Sequence, residues 1–483
     1  MSGSGPNPQT ARLRGLPWQD PIGRLRVAIV GTFVDFYRDI ANVSEEKHRL
    51  FEDACLQMSR RVEVISSDWV NTESVASAVN EKLKESSPDV LILIPLVAVF
   101  GGLSAGVVRD LRCPVIIWNL QPDLRVSPDY DLTTLIRNSG SLGLSALANT
   151  MARSGQTFRA LVSCAESTSV DEGMNRLLAE LRTAHVLRKA TIGVIGSTFS
   201  QMTDIALDTR SFEKEFGVRF VTISKEELTA RVRAVSRENL KAARAELNSR
   251  FKTDSIRAEE IDRSLLLHVA LCQIARQYRL SACAINCHGG NCLQNEEIGV
   301  TACYAASLLT TGGCPVSCTG DLPTAIALLV LKTLTGVSQY VEIDFLDFEN
   351  DSLLLANGGE GDLNMAASTP YVVGNQNFSG VHGHGASFDF CPQEGSATLL
   401  SYTPTHGNPK GRFVLTEGEV TPLSLGRLRL YHQRFRFSHS SARKGFESWC
   451  EAGAVHHAAL GLGHWSPEIK TVGKTMGIEV LSI

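Results

Sequence analysis

Short apolar runs closed by glycine, proline or a polar turn alternate with stretches of helical spacing over the first two thirds of the chain. Leu25–Gly31 (LRVAIVG), Arg61–Ser66 (RVEVIS), Pro88–Pro95 (PDVLILIP) and Cys113–Trp118 (CPVIIW) read as strands, most of them buried. Glu45–Arg60, with Ser44 as its N-cap, and Thr72–Glu85 read as the helices between them. The alternation restarts near Lys189. Strands are predicted at Ala190–Gly196, Phe216–Ser224, Ala282–Asn286, Val316–Cys318 and Gln339–Phe345. Helices are predicted at Lys225–Arg250, Arg257–Tyr278, Ile298–Leu309 and Leu322–Thr335. Strands alternating with helices predict doubly wound parallel sheets. Ligands of such sheets sit at the carboxyl ends of the strands. Asn119 and Gln121, just after the fourth strand, are therefore cleft candidates, with an ordinary turn as the alternative.

Past residue 360 the texture changes. Glycine and histidine become frequent and helical periods vanish. Arg412–Leu415, Glu419–Leu423 and Arg427–Tyr431 alternate as antiparallel strands do. The expected class is α/β: two doubly wound parallel-sheet domains followed by a β-rich C-terminal domain. The boundaries read as a disordered head over 1–24, a Rossmann-like domain over 25–188, a second α/β domain over 189–360 and the β-rich domain over 361–483.

Composition narrows the function. Lys and Arg number 47 against 51 Asp and Glu, a net charge of −4, which argues against a chain-wide nucleic-acid surface. The longest apolar stretches, such as Val90–Phe100, fall short of the roughly 20 residues of a membrane span. Met1–Thr10 lacks the apolar core of a secretory signal, so a cytoplasmic protein is expected. Twelve cysteines form no CxxC pair, and seven of them lie between Cys272 and Cys318. Without a zinc-knuckle pattern they read as buried thiols. Cys287-His288 with Cys292 lacks a second paired half as a soft-metal site.

Several side chains carry candidate chemistry. Asp321 precedes an apolar helix, where it reads either as an N-cap or as a site acid. Glu342 and Asp344 are two apart on a strand and share a face, which is either exposed or a cleft wall. His456-His457 is a histidine pair among small residues. His382-Gly383-His384 has the spacing of a metal pair on a strand or of a glycine loop. Gly358–Gly361 (GGEG) lacks the Lys-Ser/Thr that completes a P-loop, and no GxGxxG follows the first strand.

A set of motifs in fixed order adds to this. They are WNLQP (118–122), GVIGSTFSQMTD (193–204), GCPVSCTGD (313–321), VEID (341–344), LLLANGGEGD (353–362), GEVTPLSLGRL (418–428) and AGAVHHAALGLGH (452–464). Together they resemble the L-fucose/L-arabinose isomerase superfamily over nearly the whole chain from residue 25. The resemblance implies aldose–ketose interconversion through an enediol, a divalent cation (manganese most often), a sugar or polyol-like substrate, and a homo-oligomer, trimer or hexamer. It implies neither a nucleic-acid nor a membrane partner. It places Asp344 and His457 as cation ligands, with Glu342 the alternative acidic ligand and a catalytic candidate, and Asp321 in proton transfer. Met202, His456, Asn119 and Gln121 fall among the substrate-binding positions. Two positions depart from the family. Thr319 stands where a catalytic, metal-binding glutamate is expected, and Asn357 where a histidine is. A threonine hydroxyl is no general base near neutral pH. Thr319 and Asn357 are thus expected to hydrogen-bond substrate oxygens. Two other readings stay open: a retooled lyase or epimerase on a sugar-derived metabolite without the usual metal centre, and a non-catalytic sugar-binding homologue.

Overall fold

The computed structural model describes residues 22–40, 42–165, 170–288, 290–376, 384–405 and 408–483. His382 and Gly383 lie outside the described residues. Contacts group the chain into two compact units, Gly23–Arg182 and Thr183–Ile483.

The first unit is built on a parallel sheet. Its strands are β1 (Arg26–Thr32), β2 (Glu63–Val70), β3 (Val90–Pro95), β4 (Val115–Gln121) and β5 (Phe158–Cys164), in the order β2-β1-β3-β4-β5. Every residue of β3 is buried, as expected of an unbroken apolar run covered on both faces. The helix predicted over Glu45–Arg60 starts earlier, at Val43, and Asn42 rather than Ser44 precedes it, without a side-chain cap. The next helix, Glu73–Ser86, is capped by Thr72, whose hydroxyl accepts the Val75 N–H.

The second unit holds β6 (Thr191–Ile195), β7 (Arg219–Ile223), β8 (Lys252–Asp254), β9 (Ala282–Ile285) and β10 (Val316–Ser317). Four of these form a parallel sheet in the order β10-β9-β6-β7. The remaining strands are β11 (Gln339–Asp347), β12 (Ser352–Ala356), β13 (Tyr371–Gly374), β14 (Ala386–Asp389), β15 (Gly395–Thr405), β16 (Asn408–Thr421), β17 (His432–Phe437), β18 (His457–Leu462) and β19 (Glu479–Ser482). The order β15-β18-β11-β12-β17-β16 closes on itself because β15 also pairs with β16. This makes an antiparallel barrel, onto which β19 adds in parallel. Closure removes the open edges an antiparallel sheet would expose. β8, β13 and β14 form a small separate sheet. The chain is thus α/β with parallel sheets and a β-rich C-terminal region.

Three local expectations change. Lys225–Arg250 is two helices, Lys225–Arg233 and Arg237–Arg250, because the Ser236 hydroxyl caps a new start by accepting the Asn239 N–H. The helix expected at Ile298–Leu309 runs over Cys303–Gly312. Arg412–Leu415 and Glu419–Leu423 belong largely to one long strand, β16, whereas Arg427–Tyr431 is a loop before β17. Among the described residues no helix is long and apolar enough to cross a membrane. All twelve cysteines are free thiols, and six of the seven between 272 and 318 are buried, as the absence of CxxC pairs suggests.

The helix Leu322–Thr335 joins the parallel sheet to the barrel. It is apolar on nearly every face and almost wholly buried. It lies along β18, close enough that a Cβ on Gly461 would sit 3.1 Å from Thr335 and 3.4 Å from Leu331. That packing brings the start of the helix to the start of β18.

Candidate active site

Strand register creates the central pair. β11 and β18 are antiparallel with Glu342 directly opposite His457, so their side chains leave the sheet on the same face. Tyr340, two residues before Glu342, shares that face, and its ring lies 4.8 Å from the His457 ring. The helix start adds Asp321. As N-cap, its Oδ1 accepts the Thr324 N–H at 2.8 Å. Its Oδ2 accepts the Thr324 hydroxyl at 2.6 Å and His457 Nδ1–H at 2.7 Å. Asp321 is therefore both a cap and a site residue. Its carboxylate is wholly buried and engaged in three hydrogen bonds.

This arrangement fixes the imidazole. A carboxylate only accepts, so Nδ1 carries the hydrogen and Nε2 presents its lone pair. Nε2 faces Glu342 Oε1 at 3.6 Å. Two acceptors at that separation call for a proton or a cation between them. Burial raises the Glu342 carboxyl, His457 pulls it back, and the Asp344 charge adds to the rise. A proton is thus held more readily here than on an ordinary carboxylate.

Asp344 is placed differently. Ile343 pairs with Leu355 and Phe345 with Leu354, so Asp344 is the extra residue of a β-bulge. Its carboxyl is raised by burial and lowered by the Ala356 backbone N–H that bonds to it. Glu342 is the acid that His457 Nε2 faces.

The neighbouring histidine has its own carboxylate. His456 Nδ1 is 2.5 Å from Asp204 Oδ2, which also accepts the His456 backbone N–H at 3.1 Å. Asp204 lies in the turn following Met202, so the GVIGSTFSQMTD segment does reach the histidine pair. Burial raises the Asp204 carboxyl, but the His456 bonds outweigh it and hold the group below its usual range. The His456 and His457 rings lie 3.7 Å apart, His457 buried and His456 half-exposed.

Thr319 forms the strand tip beside Asp321. Its φ is +54°, an outlier for a β-branched residue, and its hydroxyl donates to the Cys318 carbonyl. Phe199 N–H bonds the Thr319 carbonyl, and Thr198 Oγ1 donates to the Gly320 carbonyl. Gly320 has φ +72°, and a Cβ there would come within 2.5 Å of the Ser197 carbonyl oxygen. Gly320→Ala is therefore expected to lower stability by about 1–3 kcal/mol. Urea unfolding tests this, and an unchanged midpoint would contradict the packing.

Asn357 is spent within its own loop. Nδ2 donates to the Tyr340 and Glu360 carbonyls, and Oδ1 accepts the Gly359 N–H. Gln339 Nε2 also donates to the Glu360 carbonyl, and the buried Lys332–Asp362 pair pins the following turn. The loop aims Glu360 inward. That side chain is buried, and neither carboxyl oxygen has a hydrogen-bond partner. Burial pushes its pKa up to about 7; its own backbone N–H works against the rise, Glu342 adds to it and His457 opposes it. A cavity of about 10 Å³ adjoins Glu360, walled by Cys287, Cys303, Cys318 and Ser317 among others. A larger cavity of about 230 Å³ lies between helices near His268, Cys272 and Arg250 and includes none of these acids.

Asn119 and Gln121 belong to the first unit, at the carboxyl end of β4. Asn119 is buried, its Oδ1 2.6 Å from where a Cβ on Gly140 would stand. Gln121 Nε2 donates to the Asp123 carbonyl. Asp204 and Glu360 were not singled out by the sequence, although both stand inside quoted motifs. Their only signal was an acid adjoining a glycine-rich or polar turn.

The donor set bears on a divalent cation. Among the described residues no group of three or more His, Cys, Asp or Glu side chains converges to hold a metal ion. Two do converge, His457 Nε2 and Glu342, with the far side of the imidazole held by a carboxylate. That is the usual support of a metal-binding histidine.

No protein-family model matches the chain. The chain is similar to the sulfoquinovose isomerase of Alkalicoccus urumqiensis, being 22% identical over 416 residues that cover 82% of this chain and 87% of that protein.

Proposed function

We propose that this protein is an enzyme of the aldose–ketose isomerase type, acting on a sugar or sugar-like carbonyl compound by proton transfer through an enediol. The observation that carries the reading is the alignment of buried Asp321 and His457 with half-buried Glu342 beside the carboxyl ends of β9 and β10. The similarity to a sulfoquinovose isomerase supports it and makes sulfoquinovose the first substrate to try.

In this reading Glu342 takes the proton from the carbon next to the carbonyl. Its raised pKa moves it towards the operating pH, where a general base is most effective. Asp321 holds His457 with Nε2 towards the substrate side and stabilises positive charge on the ring. His456, fixed by Asp204, offers Nε2 to a substrate hydroxyl. Where a divalent cation such as Mn²⁺ is bound, His457 and Glu342 are its protein donors, and it polarises the adjacent substrate oxygens. Asp344, at the bulge, tunes the charge on Glu342.

The test is exchange of the substrate's carbon-bound hydrogen for deuterium in D₂O, followed by NMR, with and without Mn²⁺. Exchange together with an isomeric ketose is the expected result. Glu342→Gln is expected to slow it by about 10²–10⁴-fold. Full activity in that variant, or no exchange with any aldose or ketose, would sink the reading. Cleavage or epimer products would instead identify a retooled enzyme.

A further inference from the structure

We propose that Glu360 is a proton-holding acid of this site, supplying the carboxyl that Thr319 lacks. The inference rests on the isomerase reading and deepens it. Three observations carry it. Both Glu360 oxygens are buried without a partner from any other residue. Unsatisfied buried polar groups are rare, and each calls for a cause such as a catalytic role or an ordered water. The loop around Glu360 is over-determined: Asn357 and Gln339 fix its carbonyl, and Gly361 N–H bonds Ser307 Oγ. So much backbone fixing holds a costly side chain in one place. Finally, the Thr319 hydroxyl is spent on its own neighbour's carbonyl.

The surroundings favour the neutral form of the group. Cys287, Cys303 and Cys318 wall the cavity, and the Tyr340 hydroxyl, also buried and unpartnered, lies on the β11 side. Burial drives the Cys303 and Cys318 thiols and the phenol upwards, and the Cys292 contact, with burial, drives Cys287 upwards, so all stay protonated near neutral pH. Glu342 and His457 are the remaining titratable groups coupled to Glu360, and they act on it in opposite senses. Burial thus favours the protonated form of Glu360.

The step balances. The carbon–hydrogen bond next to the carbonyl breaks and its proton goes to Glu342, while the electron pair forms the enediol double bond. Glu360 gives its proton to the former carbonyl oxygen and recovers one from the neighbouring hydroxyl as that becomes the new carbonyl. Glu342 returns its proton to the adjacent carbon. The cavity of about 10 Å³ beside Glu360 matches a single water.

The experiment compares the full-length wild type with Glu360→Gln and the double variant Glu360→Gln/Thr319→Glu. Deuterium exchange on sulfoquinovose is followed across pH with Mn²⁺ present, and infrared spectra report protonated carboxyl. Glu360→Gln is expected to lose about 100-fold or more of the rate and the alkaline limb of the pH profile. A protonated-carboxyl band at neutral pH is expected to disappear with it, while the double variant regains part of the rate. Melting curves confirm that each variant is folded. An unchanged rate and pH profile in Glu360→Gln would overturn this proposal and leave the isomerase reading standing. No exchange by the wild type would overturn that reading and the acid role with it. A wild type that exchanges but lacks the band would overturn the acid role alone.

Discussion

Asp321→Ala is expected to cost about 2–4 kcal/mol of stability, the sum of a lost helix cap and a buried donor left without its acceptor. The loss has two sources. The Thr324 N–H at the helix start loses its cap, and His457 Nδ1–H loses its acceptor inside the protein. Asp321→Asn separates them. An amide oxygen still caps the helix, but its NH₂ group cannot accept from Nδ1. The imidazole then carries its hydrogen on Nε2, facing Glu342. The asparagine variant is expected to remain folded with a smaller loss of stability and to lose at least about 100-fold in exchange rate. Urea unfolding and the exchange assay together check this. Equal stability in wild type and Asp321→Ala would show that the carboxylate is not needed at the junction.

The second large effect is a pH dependence of stability. The Glu360 pKa is about 7 in the folded protein and near 4.5 when exposed, chiefly because burial disfavours the ionised form. A raised carboxyl favours the folded state below the unfolded pKa, and that contribution disappears as pH rises through the folded value. The difference corresponds to about 3 kcal/mol. Between pH 4.5 and pH 8 the wild type should therefore lose about 3 kcal/mol more than Glu360→Gln, whose amide does not titrate. Parallel stability profiles for the two proteins would show that Glu360 is ionised in the fold at no cost.

The parallel sheets were legible because burial on both faces leaves unbroken apolar runs, as in β3, and the helices between them carry their own period. Boundaries moved where a local competitor acted. Ser236 ends one helix and starts another, a capping choice hidden inside a continuous charged stretch. The barrel was legible only as a tendency, since the closing pair β15–β16 and the length of β16 depend on tertiary pairing. In the site, the strand position of Glu342 and the histidine pair could be read from the sequence. Which acid faces which histidine could not. That depends on the β11–β18 register and on a bulge that sets Asp344 apart from Glu342. The two carboxylates that hold the histidines lie 136 and 252 residues away in sequence, a separation no local pattern records. Glu360 stayed hidden because its meaning lies in the partners its oxygens lack.

The distance from Asp321 to His457 also sets a timetable. A ribosome adding about 5–20 residues per second needs roughly 7–27 seconds to pass from one to the other. During that interval the helix start can be capped, but the imidazole that its carboxylate orients has not yet been made. The parallel sheet is complete while the barrel still lacks β18, the strand that carries the histidine. On the isomerase reading the emerging protein therefore lacks its proton-transfer centre until its last two strands are added, and a chain shortened before His457 is expected to be inert.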